Sequence, residues 1–174
     1  MYMKLLIFLC LVCGLSTVAL AEETDQNIYE GTLENRVNAL STIQPGLGVV
    51  MHEFGSRMAA TYWAANGGNW GLAQYELKEL LEAQEVAEVT RPKRAEMLKA
   101  FEQGNLLPLN ATVEKKDIKE FNRRFSAVVN ACNACHTALG YGFIEYQVPA
   151  QSNHDILNFS LKTEPEYNET EEPK

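Results

Sequence analysis

Apolar residues recur at spacings of three and four along four stretches of this chain, and sustained alternation is nearly absent. That pattern predicts helices rather than strands. In the first stretch Leu47, Val50, Met51, Phe54, Met58 and Tyr62 form one stripe, with Pro45 where a helix can begin. Asn66-Gly67-Gly68 ends it. Asn69 can cap a second helix over residues 70–89, whose apolar side is Ala73, Leu77, Leu80, Leu81 and Ala87. Lys78, Glu82 and Glu85 give that helix a solvated side. Arg91-Pro92 starts a third helix with Met97, Leu98 and Phe101 inward. Gly104-Asn105 should interrupt it, and Pro108 should begin a short continuation to about Val113. The fourth helix, residues 117–138, carries Phe121, Phe125, Val128, Cys132 and Cys135 on one face.

Four helices joined by short turns predict an all-α fold, an antiparallel four-helix bundle over residues 45–140. Residues 22–44 form an entry segment, with a short helix expected around residues 33–40. Residues 141–162 alternate loosely up to Pro149 and should wrap along the bundle in extended form. Residues 163–174 hold five Glu, one Lys and two Pro, the composition of an acidic disordered tail.

The N-terminus changes the picture. Lys4 precedes a nearly unbroken apolar run over residues 5–15, and Ala19-Leu20-Ala21 makes a small-x-small site before Glu22. This is the pattern of a secretory signal peptide, residues 1–21, cleaved after Ala21. The apolar run is short for a membrane span, so the mature chain is expected to have none and to be periplasmic or otherwise secreted. Cleavage also removes Cys10 and Cys13. Of four cysteines only Cys132 and Cys135 remain, too few for a disulfide scaffold.

The formal charge is −8 for the whole chain; the leader removes Lys4 and no acid, which leaves −9. An acidic balance argues against nucleic acid or an anionic membrane surface as partner and is compatible with a basic redox partner. The 46% apolar content suffices for one sizeable core.

The chemistry lies in Ala131-Cys132-Asn133-Ala134-Cys135-His136. Two thiols three residues apart can each add to a haem vinyl group, and the histidine that follows can bind the iron. Cys-x-x-Cys-His is the attachment signature of haem c. Three other chemistries compete. A thioredoxin-type redox pair needs a helix N-terminus to lower its thiolate pKa, whereas this pair lies near a helix C-terminus. Zinc needs a fourth ligand, for which only His52 or His154 is at hand. A structural disulfide is the plainest alternative.

With these residues in view, the chain resembles the cytochrome c-prime family and its low-spin relatives, and within them a group of exported monohaem proteins. Three segments carry the resemblance: 69–77 (Asn-Trp-Gly-Leu-Ala-Gln-Tyr-Glu-Leu), 131–136, and Phe143-Ile144 followed by Pro149 and Ser152-Asn153. It spans roughly residues 47–153. It implies a four-helix bundle with one covalent haem near the end of the last helix. His136 would be the proximal iron ligand, the distal face would lie on the first helix, and homodimers are common among such bundles. Met58 is a departure, because relatives would carry histidine there.

The distal ligand decides the function. A methionine thioether gives a low-spin electron-transfer haem, and an open distal side admits a gas. Met51 is the first candidate, followed by His52, Met58 and Met97. Core packing is the bland role for the methionines, and exposure for His52. Phe54, Tyr62, Phe125 and Phe143 are candidates to pack on the haem, and Arg57, Arg123 and Arg124 to pair with its propionates. The expected function is electron transfer with a redox partner protein, with gas binding as the alternative. Enzymatic activity is not expected, since there is no second haem motif and no recognisable distal acid–base set.

Overall fold

The computed structural model of the chain describes residues 27–148, 150–152 and 157–162. The expected leader, Pro149, Asn153, His154 and the acidic tail lie outside the described residues. Among the described residues every regular element is helical and no strand occurs. No helix among them is long and apolar enough to cross a membrane.

The chain divides into two compact units, Met1–Thr42 and Ile43–Lys174. In the first, helix α1 (Leu33–Thr42) opens with the Thr32 hydroxyl accepting from the Asn35 amide at 3.2 Å. Arg36 Nε donates to the Ile28 carbonyl at 2.9 Å and ties the preceding turn to the helix.

The second unit begins with α2 (Leu47–Gly67) and α3 (Trp70–Thr90). Gly68 stops α2 in the left-handed region at φ 79°, where its N–H reaches the Ala64 and Ala65 carbonyls; a residue without Cβ does this at no steric cost. Asn69 then caps α3, its side-chain oxygen accepting from the Leu72 amide at 3.1 Å. So short a turn folds α3 back along α2. Arg57 of α2 pairs with Glu76 of α3 at 2.8 Å, and at the far end Arg91 donates to the Gln44 and Pro45 carbonyls.

A 3₁₀ turn at Pro92–Arg94 leads into α4 (Ala95–Phe101). The expected break at Gly104-Asn105 is not there. A π turn, Glu102–Leu106, carries the chain straight into α5 (Leu107–Glu114). The physical reason is Pro108, which can donate no backbone hydrogen bond; a wider turn absorbs that loss without ending the helix. The extra residue also keeps Leu106 and Leu109 fully buried on one face. Helix α6 (Ile118–Ala138) is capped by Asp117, which accepts from the Glu120 amide at 3.1 Å.

The main core joins Phe54, Met58, Leu77, Leu80, Leu106, Leu109, Val113, Phe121, Phe125 and Val128. Each of the larger side chains contributes about 1.5–3 kcal/mol by leaving water. Tyr62, Phe121 and Phe125 stack through ring centroids 5.0 and 5.6 Å apart, and Trp70 meets Phe121 edge-on. Near the α3–α4 junction Gln84 is fully buried, its amide donating to the Leu98 carbonyl at 3.0 Å and to Glu102 at 3.0 Å.

After α6, residues 141–148 form no regular element and lie along α6 and α2, with Tyr146 and Val148 turned to the core. Residues 157–162 dock at the α2–α3 turn. Asn69 donates to the Asn158 carbonyl at 2.9 Å and Lys162 to that of Gly67 at 2.6 Å. A Cβ on Gly67 would collide with the Phe159 carbonyl, so this approach requires glycine.

Candidate functional site

On α6, Cys132 and His136 are four residues apart and therefore share a side of the helix. Both face a cleft whose other wall is α2. The lining is Met51, Phe54, Gly55 and Met58 from α2, Cys132 and His136 from α6, and Tyr146 from the strap, residues 141–148. About 300 Å³ lies between these walls when the open solvent at the mouth is counted.

His136 is held in one orientation. Its Nδ1 lies 2.8 Å from the Ile144 carbonyl oxygen. A carbonyl can only accept, so Nδ1 carries the hydrogen, and in the neutral ring the lone pair is then on Nε2. That arrangement orients and strengthens a histidine as a metal ligand.

The Cys132 thiol is pushed up to about 11, mainly by burial and then by Cys135 beside it. At neutral pH it stays protonated, as a thiol near a helix C-terminus should. A thioredoxin-type nucleophile is the opposite case. Cys135 faces α4, its sulfur 3.6 Å from that of Met97, and it does not line the cleft. The two cysteines form no disulfide. Among the described residues no three His, Cys, Asp or Glu side chains are arranged to hold a metal ion.

The candidate distal residues separate clearly. Met51 and Met58 line the cleft, Met51 partly buried and Met58 only 1% exposed. His52, one position on, is exposed and outside it. Of the aromatics, Phe54 lines the cleft, Tyr62 and Phe125 pack in the core beyond it, and Phe143 is 81% exposed. The arginines are committed elsewhere. Arg57 pairs with Glu53 and Glu76, and Arg123 and Arg124 with Glu120 in the first turn of α6. None of the three lines the cleft.

Four residues were not singled out in the sequence: Gly55, Asn133, Ile144 and Tyr146. Gly55 leaves room for the Tyr146 ring, since a Cβ there would stand 3.4 Å from Tyr146 Cε2. The Tyr146 hydroxyl donates to the Gly55 carbonyl at 3.2 Å. Burial, and then the nearby Cys132, push the Tyr146 phenol up, so it remains a neutral donor. The signal for Tyr146 was the loose alternation of the strap, which turns 146 and 148 inward. Comparison of the chain with family models, curated proteins and solved structures finds no match.

Proposed function

We propose that this chain is an exported monohaem c-type cytochrome that transfers electrons. The observation that carries this is the orientation of His136 in the cleft, with Nδ1 engaged by Ile144 and Nε2 free, on the helix that bears Cys132 and Cys135 and across from Met51 and Met58. The chemistry of the residues suits a covalent haem: an imidazole for one side of the iron and a thioether for the other in the cleft, with the Cys132 thiol beside them for one vinyl group; the Cys135 thiol, which faces Met97, would have to turn from α4 to take the second. The fold on this reading is an antiparallel bundle of α2, α3, α4–α5 and α6, with the haem at the C-terminal end of α6.

Haem bound there would supply one-electron exchange between ferric and ferrous iron. Cys132 and Cys135 would anchor it through thioethers, His136 would ligate the iron, and Met51 would be the distal ligand. Phe54 and Met58 would keep water from that face, which favours the less charged ferrous state. The leader pattern supports a location outside the cytoplasm, and the acidic net charge suits a basic redox partner. The open side of the cleft beside a partly buried Met51 favours a second reading, a displaceable distal ligand and gas binding.

The test is a haem stain on a denaturing gel of the exported protein. Wild type should stain and Cys132→Ser/Cys135→Ser should not; a stained double variant would refute covalent attachment. Optical and EPR spectra of the ferric protein then decide between the two readings. Low-spin iron supports the electron carrier, and five-coordinate high-spin iron would overturn it.

A further inference from the structure

Asn133 occupies the first variable position between the two cysteines, where a haem attachment signature demands no particular residue. Here its side chain makes two hydrogen bonds to one backbone residue of the strap. Its oxygen accepts from the Tyr146 amide at 2.8 Å, and its nitrogen donates to the Tyr146 carbonyl at 3.1 Å. The two partners fix the amide orientation, because one can only donate and the other only accept. The pairing is the kind a neighbouring strand would supply, delivered by a side chain from a helix.

The strap that Asn133 grips also carries the carbonyl on His136. Ile144 is two residues before Tyr146, and its oxygen is the Nδ1 partner at 2.8 Å. Upstream the strap is held by the turn closing α6, where the Tyr141 amide donates to the His136 carbonyl at 2.7 Å and the Ile144 amide to the Tyr141 carbonyl at 2.8 Å. Downstream the first fixed point is Tyr146, bound to Asn133 through its backbone and to Gly55 through its hydroxyl. Asn133 and His136 are three residues apart on one helix and so grip the same extended segment two residues apart.

We propose that Asn133 is a positioning residue for His136: by clamping Tyr146 it holds the Ile144 carbonyl on Nδ1, and so sets the electron-donating strength of the imidazole and the midpoint potential of the iron. The inference rests on the haem reading above. The chemistry is direct. A carbonyl held on Nδ1–H makes the imidazole a stronger donor through Nε2, and a stronger donor favours ferric over ferrous iron and lowers the potential. Loosening the carbonyl raises the potential.

The experiment uses the full haem-bearing protein. Asn133→Ala should raise the midpoint potential and speed hydrogen exchange at the strap amides of residues 144–148, with the haem stain and folded spectrum retained. Tyr146→Phe, which keeps both backbone bonds to Asn133 and loses only the hydroxyl bond to Gly55, should shift the potential less than Asn133→Ala does. Asn133→Gln keeps the amide but changes its reach. It should shift potential and exchange in the direction of the alanine variant, and it replaces that variant if the latter fails to accumulate. Wild-type potential and exchange in a haem-bearing Asn133 variant would overturn the proposal while leaving the cytochrome reading intact. A potential shift in Tyr146→Phe as large as in Asn133→Ala would also overturn it, because the hydroxyl rather than the amide clamp would be the control. Wild-type protein without covalent haem would instead defeat the functional reading itself.

Discussion

The first turns of α6 and its last turns continue one apolar stripe, yet they end in different surroundings. Phe121, Phe125 and Val128 are at most 2% exposed and meet Tyr62, Trp70 and the leucines of α3 and α5. Cys132 and His136 extend the same side of the helix but stay only partly buried, facing Gly55 and an unfilled cleft. The pattern alone does not separate the two halves. What separates them is the opposite wall: large side chains in one case, and in the other a glycine, two thioethers and a phenylalanine. Where large side chains face it the stripe is closed, and where they do not it borders a cleft.

That comparison can be broken at its buried end first. Phe125→Ala should cost about 3–5 kcal/mol of stability, the range for removing a buried phenylalanine. Denaturant unfolding would check this, and a loss under about 1 kcal/mol would mean that the first half of α6 is no better filled than the second. At the cleft, Met51→Ala should cost much less, about 1 kcal/mol, since its side chain is only partly buried. If the proposed haem reading holds, its spectrum should change instead, with loss of the near-red methionine-to-iron band. Persistence of the band would move the distal role to Met58, which the same cleft offers.

The smallest effect lies outside both halves, at the α3–α4 contact. Burial first, then the carboxylates of Glu88 and Glu85, raise the Glu102 carboxyl above its ordinary value, against the opposing hydrogen bond from Gln84. In the window above the ordinary carboxylate value the folded state therefore holds a proton that the unfolded chain has released. Stability from this group is present below that window and lost as pH rises through it. Glu102→Gln should flatten that part of the stability profile, measured by unfolding midpoints at several pH values, and should leave the haem spectrum unchanged.

Much of this was legible because caps and stops are local chemistry. Asn69, Asp117 and Gly68 each act within three or four residues, and the bounds of α2, α3 and α6 fall within about two residues of those expected. The α4–α5 region was misjudged because Gly104 and Pro108 are breakers in an ordinary helix but compatible with a π turn. At the cleft, Met51, Met58 and Cys132 were legible from their stripes and His136 from its motif, whereas Cys135, expected on the same face, turns to Met97 of α4. The arginines considered for haem propionates are paired with carboxylates here. Glu53 and Glu120, three or four residues from their partners, already offered local pairing, while Glu76 could be placed beside Arg57 only by the α2–α3 hairpin. Asn133 and Tyr146 could not be paired from sequence, because nothing in a loop fixes which of its amides a helix side chain will meet.

The strap also imposes an order in time. Tyr146 follows His136 by ten positions, so a chain extending from its N-terminus presents both thiols before the segment that covers them exists. At ordinary synthesis rates that interval is on the order of a second. Once Asn133 and His136 have captured residues 144–146, the strap stands beside Cys132, and a bulky reactant meets a cleft with one more wall than the emerging helix had.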